Sequence, residues 1–199
     1  RKINYPSASQ ALGTQGVSLV KFSIPPTGSA TATLLTSLDA EIDEMIKNAA
    51  EFTNNWQRRD STYHEYISFF FSKSGFMVKV FSENLETFQQ LTESKKDLMG
   101  QEFIGNNEAN TFSFKKGLEG SINEEVYMQY LNDKAILEKL SAKGKAKKIF
   151  PVLTKMIKLN PFDKTLIQER LRLAKGAKNE SFVESDTALL EALDELLEK

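Results

Sequence analysis

Residues 5–24 read YPSASQALGTQGVSLVKFSI, and the reading of this stretch decides the fold. A Tyr-Pro lead-in opens onto a short helical turn carrying Ala8, Ala11 and Leu12. Gly13 and Gly16 break that turn, and a strand follows over residues 17–24. Along it Val17, Leu19 and Lys21 face one way, while Ser18, Val20, Phe22 and Ile24 do not alternate perfectly. Apolar residues on both sides predict a strand partly covered on both faces. Pro25, Pro26 and Gly28 then end it with unambiguous turn chemistry.

The next elements read as cover for that strand. ATATLLT, residues 30–36, predicts a second strand, antiparallel across the Pro25–Gly28 turn. Asp39 is a helix N-cap, with Glu41 in the first turn. Ile42, Met45, Ile46, Ala49 and Phe52 recur behind it at helical spacing. Trp56 follows the helix. In YHEYISFFFS, residues 63–72, Glu65, Ile67, Phe69 and Phe71 alternate with Tyr66, Ser68 and Phe70. Lys73-Ser74-Gly75 turns the chain into GFMVKVF, residues 75–81, a further strand. Residues 1–82 thus predict a small antiparallel sheet with one packed helix.

From about Glu83 the period changes to that of helices. Leu85, Phe88, Leu91 and Leu98 predict a connecting helix. Residues 99–120, with Phe103, Phe112 and Phe114 set among Gly100, Gly105, Gly117 and Gly120, read as loop with room for a short hairpin. Ser121 and Glu124 make a capping box, and the helix behind it runs to Gly144. Ile149, Leu153, Met156 and Ile157 mark another, which tolerates Pro151 only in its first turn. Asn160-Pro161 stops it, Asp163 caps the next, and Gly176 ends that one. Asp186 caps the last, whose stripe is Leu189, Leu190, Leu193, Leu196 and Leu197. The fold class is α+β: residues 1–82, a connection over 83–120, and an all-helical domain over 121–199.

Composition narrows the function. With 199 residues, 40% hydrophobic and 27% charged, the chain has the make-up of an ordinary globular protein. A net charge of −1 argues against a nucleic-acid partner. The absence of cysteine excludes disulfides and thiolate sites. No apolar run reaches the roughly 18 residues of a membrane span. The start at Arg1, without Met or signal sequence, reads as a fragment or processed form with room for an upstream anchor.

Residues 3–81 resemble the C-terminal domain of TonB, the periplasmic energy transducer of Gram-negative bacteria. Tyr5-Pro6, Ala8, Ala11-Leu12, Gln15-Gly16, the strand Val17–Ile24 and the Pro26–Gly28 turn carry the likeness. Thr31–Leu35, Asp39–Phe52, Trp56 and Tyr63–Phe71 follow it in order and spacing. Gln57-Arg58-Arg59-Asp60 lacks the proline the family places after the Trp, and the chain runs well past the usual end of the domain. The resemblance implies a periplasmic protein-binding module engaged in transport. Its last strand would pair with an extended segment of an outer-membrane receptor, close to the Tyr-Pro lead-in. By matching position, the partner-binding residues are Tyr5, Pro6, Glu65, Ile67, Phe69 and Phe71. GFMVKVF covering that edge is the competing expectation. The resemblance also implies that copies can exchange strands into a homodimer. More weakly, residues 145–175, with Leu159-Asn160-Pro161-Phe162-Asp163 between helices, resemble the hinge between tetratricopeptide repeats, whose period is about 34 residues. The alternative function is therefore a cell-envelope scaffold binding protein through its helical half.

Reactive chemistry is sparse. His64 is the only histidine and suits a surface or cross-strand role; no second His or Cys completes a metal or nucleophile set. Asp39, Glu41, Asp43 and Glu44 read as compensation of a helix dipole rather than a Ca²⁺ loop. Lys143, Lys145, Lys147 and Lys148 read as a solvated helix end, with contact to phosphate or acidic lipid as the sharper reading. No phosphate-binding glycine loop is present. No catalytic residue, metal or cofactor is expected, and the chain reads as a non-enzyme.

Overall fold

Strand formation begins at β1, Gly16–Ile24, and everything around it follows from its two apolar faces. The computed structural model describes residues 5–53, 56–72, 75–81, 103–106, 111–114, 122–143 and 146–197. The connecting helix expected over 83–98, the Ser121 capping box and the break at Gly144 lie outside these residues. The protein is mixed α+β. It divides into two compact units, Arg1–Gly100 and Gln101–Lys199.

In the first unit α1, Ser7–Ala11, precedes β1. β2, Thr31–Leu34, follows the turn, and α2 covers Ala40–Phe52. β3, Tyr63–Ser72, and β4, Gly75–Phe81, complete an antiparallel sheet of order β2-β1-β3-β4. Register sets the faces. Val20 lies opposite Ile67, Ile24 opposite Tyr63 and Ser18 opposite Phe69. Val20, Phe22, Ile24, Ile67, Phe69 and Phe71 gather with Ile42, Ile46 and Ala50 of α2 in one core. Trp56 packs on it from the rim, its ring 5.4 Å from that of Phe22. On the opposite face Val17, Leu19, Tyr66 and Ser68 are buried too, so β1 is covered on both sides.

Short side chains finish what the backbone leaves open. β2 pairs only with Val20–Ser23 of β1. Beyond it Thr36 takes over: its hydroxyl accepts from Leu19 N at 2.7 Å and donates to the Val17 carbonyl at 2.9 Å. Ser18 Oγ donates to the Thr36 carbonyl at 3.0 Å. The buried polar groups of β1 are thereby satisfied where no strand reaches them. At the turn, Gly28 adopts φ 86°, and Arg58 donates to the carbonyls of Pro25 and Gly28 at 2.7 Å each.

Asp39 caps α2 as its sequence position predicts, accepting from Ile42 N at 2.9 Å. Buried Ser9 of α1 donates to the same oxygen at 3.0 Å. Burial opposes ionisation here. The hydrogen bonds from Ile42, Thr14, Ser9 and Glu41 prevail and hold the Asp39 carboxyl below the ordinary 3.8. A lowered carboxylate pKa stabilises the fold above 3.8, and that stability is lost as pH falls from there through the lowered value. Asp39→Ala is expected to cost about 1–2 kcal/mol in urea unfolding at pH 7. Asp39→Asn should retain most of the cap while flattening the acid limb of the stability–pH curve; an unchanged limb would reject this account.

The second unit opens with a hairpin of β5, Phe103–Asn106, and β6, Thr111–Phe114. Four helices follow: α3, Ile122–Ala142; α4, Ala146–Leu159; α5, Lys164–Gly176; and α6, Glu180–Leu197. Each packs on the next in sequence. Ile149, Leu153, Met156, Ile157, Ile167, Leu189 and Leu193 are buried at the helical spacing read from the sequence. At the α4–α5 hinge Asn160 Oδ1 accepts from Phe162 N, and Asp163 caps α5 through Thr165 N at 3.0 Å. Tyr130 of α3 donates to the other Asp163 oxygen at 2.9 Å. Burial, reinforced by the Asp163 charge, pushes the Tyr130 phenol well above its usual range.

Two expectations fail in this unit. Pro151 is the sixth residue of α4, because the helix starts at Ala146. The ring thus sits in the second turn, where its missing N–H removes one bond that the flanking turns must carry. Asp186 is not a cap. α6 begins at Glu180, with Asn179 Oδ1 accepting from Phe182 N at 3.4 Å, and Asp186 lies inside the helix, fully buried. Its partner is Arg170 of α5, whose Nε reaches both carboxylate oxygens at 3.1 and 3.2 Å. Phe182 stacks on the guanidinium at 4.9 Å and meets Phe150 edge-on at 4.8 Å.

Candidate functional site

The residues singled out by position fall into two groups. Tyr5 does meet the end of β3: its ring stands edge-on to Phe71 with centroids 5.2 Å apart. Its hydroxyl donates to the Thr14 carbonyl. Pro6, with φ −60° and ψ 137°, is the cap position of α1, and its carbonyl accepts from Gln10 N at 2.9 Å. The lead-in is therefore folded back against the sheet. Phe71 lies opposite Phe76, so this brace supports the end of the sheet where β4 begins.

Glu65, Ile67, Phe69 and Phe71 are arranged differently from the expectation that placed them on an open edge. β3 runs between β1 and β4, paired on both sides, so it is an interior strand. Its backbone donors and acceptors are consumed by those two neighbours and leave none for a partner strand. Ile67, Phe69 and Phe71 are core side chains, with Phe69 1% and Phe71 0% exposed. Glu65 is half-buried opposite Phe22. GFMVKVF covers β3, the competing expectation, because an apolar seven-residue strand separated from the end of β3 by two residues pairs most cheaply with the strand it has just left.

That arrangement transfers the open edge to the outer strands. β2 is four residues long, which blunts it as a template. β4 is seven residues long, and among the described residues no other strand lies beside it. Its sequence carries a single charge, Lys79, the kind of gatekeeper that an edge strand usually needs in greater number. A strand of this length can present its outward backbone groups to an extended peptide.

His64, Asp39 and Asp43 have structural partners, and Lys145 of the basic run lies outside the described residues. His64 Nδ1 and Ser23 Oγ are 3.0 Å apart, a cross-strand pair between β3 and β1. Among the acids at the start of α2, Asp39 caps the helix and Asp43 accepts from Ser37 at 2.5 Å. Among the described residues, no three metal-ligating side chains converge. No described helix is long and apolar enough to cross a membrane. Sequence reasoning missed Arg58, whose fork holds the β1–β2 turn; an Arg-Arg pair after the helix was its only signal. It also missed Arg170, a charge at a helical core position. Set against known proteins, the chain matches no family model, no curated protein and no solved structure.

Proposed function

We propose that the chain is a binding protein rather than an enzyme, with a TonB C-terminal-like sheet unit that takes an extended segment of a partner as an added strand beside β4. The observation that carries this reading is the outer position of β4, seven residues long and unpaired on one side among the described residues. Main-chain pairing supplies affinity in such an arrangement, and alternate side chains supply selectivity. The braced Tyr5–Pro6 lead-in stiffens the neighbouring end of the sheet through Phe71. The TonB-like resemblance supports a periplasmic setting, a role in transport, and an outer-membrane receptor segment as the partner.

Titration of the ¹⁵N-labelled chain with short extended segments of outer-membrane receptors tests the proposal. Amide shifts should concentrate on residues 75–81, with residues 63–72 unmoved and already protected from exchange. The same peptides N-methylated on alternate amides should not bind in the register that blocks pairing. Binding that ignores N-methylation, or shifts confined to the helical unit, would reject strand addition. The second outcome would favour the scaffold reading, which rests on α3, where Leu131 and Ile136 are 38% and 46% exposed.

A further inference from the structure

The helical unit is polarised. Its helices alternate in direction, so the α3–α4 and α5–α6 turns share one end. The Phe150–Phe182 contact shows this directly, since it joins the N-terminal half of α4 to the first turn of α6. That end carries Lys139, Lys143, Lys147, Lys148, Lys175 and Lys178, all exposed. Glu138, Glu180 and Glu184 are the exposed acids there, half as many. None of the six lysines makes an ion pair among the described residues. Elsewhere among the described residues of the unit four cations are matched, Lys155 with Asp133, Lys164 with Asp194, Arg170 with Asp186 and Arg172 with Glu169, and Lys134, midway along α3, is not. The chain as a whole has a net charge of −1, so this excess is local.

We infer that this lysine end is a docking surface for anionic membrane lipid. Three observations favour a broad anionic surface over a discrete bound anion or a recognised peptide. The free cations are all lysine, compact point charges without the fork that fixes a single phosphate or carboxylate. They are spread over two turns rather than converging. The cavity at this end, about 360 Å³, is lined by Lys175, Lys178, Val183 and also Glu180 and Glu184, whose carboxylates repel a single anion seated in it. Lipid headgroups attract such a surface through its summed charge and require no pocket. Lys178 adds a backbone observation. It has φ 55° just past α5, a position where glycine carries no steric penalty, yet a long cation stands there.

Co-sedimentation of the full chain with vesicles tests the surface. Vesicles of about 30% phosphatidylserine in phosphatidylcholine, at low salt, should retain the protein, and pure phosphatidylcholine should not. Raising salt to about 0.3 M should release it, as screening shortens the reach of each charge. Lys147→Ser with Lys148→Ser should weaken partitioning about fivefold per lysine. Lys178→Gly is the control for folding, because its backbone conformation suits glycine better than lysine. It should weaken partitioning by a similar factor with no loss in melting temperature. Retention that is equal on neutral vesicles, or unaltered when Lys147→Ser, Lys148→Ser and Lys178→Gly are combined, would overturn the inference. Binding to soluble polyglutamate but not to phosphatidylserine vesicles would overturn it too, in favour of an acidic polypeptide.

Discussion

Asp186→Ala is expected to destabilise the helical unit by about 3–5 kcal/mol, because it leaves the Arg170 guanidinium buried without its counter-charge. Arg170 and Asp186 are 8% and 0% exposed, and their contact is bidentate. Water cannot replace the missing carboxylate at that depth. Arg170→Ala leaves the mirror problem, a buried carboxylate without a cation, and should cost a similar amount. The double replacement Arg170→Met with Asp186→Leu removes both charges and fills the space with apolar atoms. It should recover wild-type stability or exceed it by about 1–4 kcal/mol. Urea unfolding followed by circular dichroism separates these outcomes. The single variants should shift the midpoint without changing the slope. A double variant as unstable as either single one would mean that the pair itself, rather than the uncompensated charge, holds α5 to α6.

Phe69→Ala should be the most damaging change in the sheet unit, at about 3–5 kcal/mol. Phe69 is fully enclosed on β3, opposite Ser18, with its ring 6.3 Å from that of Phe22. The loss combines transfer of a ring from water with a cavity between two strands and α2. Against a typical total of 5–15 kcal/mol for a domain, the truncated unit would be partly unfolded at 37 °C. Phe69→Leu keeps most of the volume and should cost under about half as much. If Phe69→Ala leaves the melting temperature unchanged, β3 is not the centre of this core. The same variants then bear on the sheet order itself.

Much of the sheet unit can be read from the chain because its signals are local. β1 shows its two covered faces in its pattern, Asp39 announces α2 with a cap, and the Lys73-Ser74-Gly75 sequence divides β3 from β4. What cannot be read there is adjacency. Which strand lies outside depends on β4 choosing β3, and the composition of YHEYISFFFS is the same for an interior strand and for a covered edge. The helical unit shows the same divide. Its leucine and isoleucine stripes mark the buried faces, but Arg170 and Asp186 look like surface charges in a linear pattern. Only the packing of α5 on α6 makes them a buried pair. Asp186 also resembles a cap because acids often precede leucine stripes, and Asn179, a weaker signal, holds that position instead. The candidate edge was legible as a property of the sheet and illegible as a particular strand.

The interior position of β3 has a consequence for the time course of folding. Gly16 of β1 finds its partner only in Phe71, and Ile24 only in Tyr63. During synthesis the β1–β2 hairpin and α2 emerge first, and β3 follows on the order of seconds later. In that interval β1 has a neighbour on one side alone, and its apolar faces wait for the strand that completes them. Non-local pairing of this kind slows folding, whereas α3 to α6, each resting on its sequence neighbour, have the low contact order of fast-folding helical proteins. The chain thus makes its slow half before its fast one. A chaperone acting on it would meet the nascent hairpin long before α3 exists.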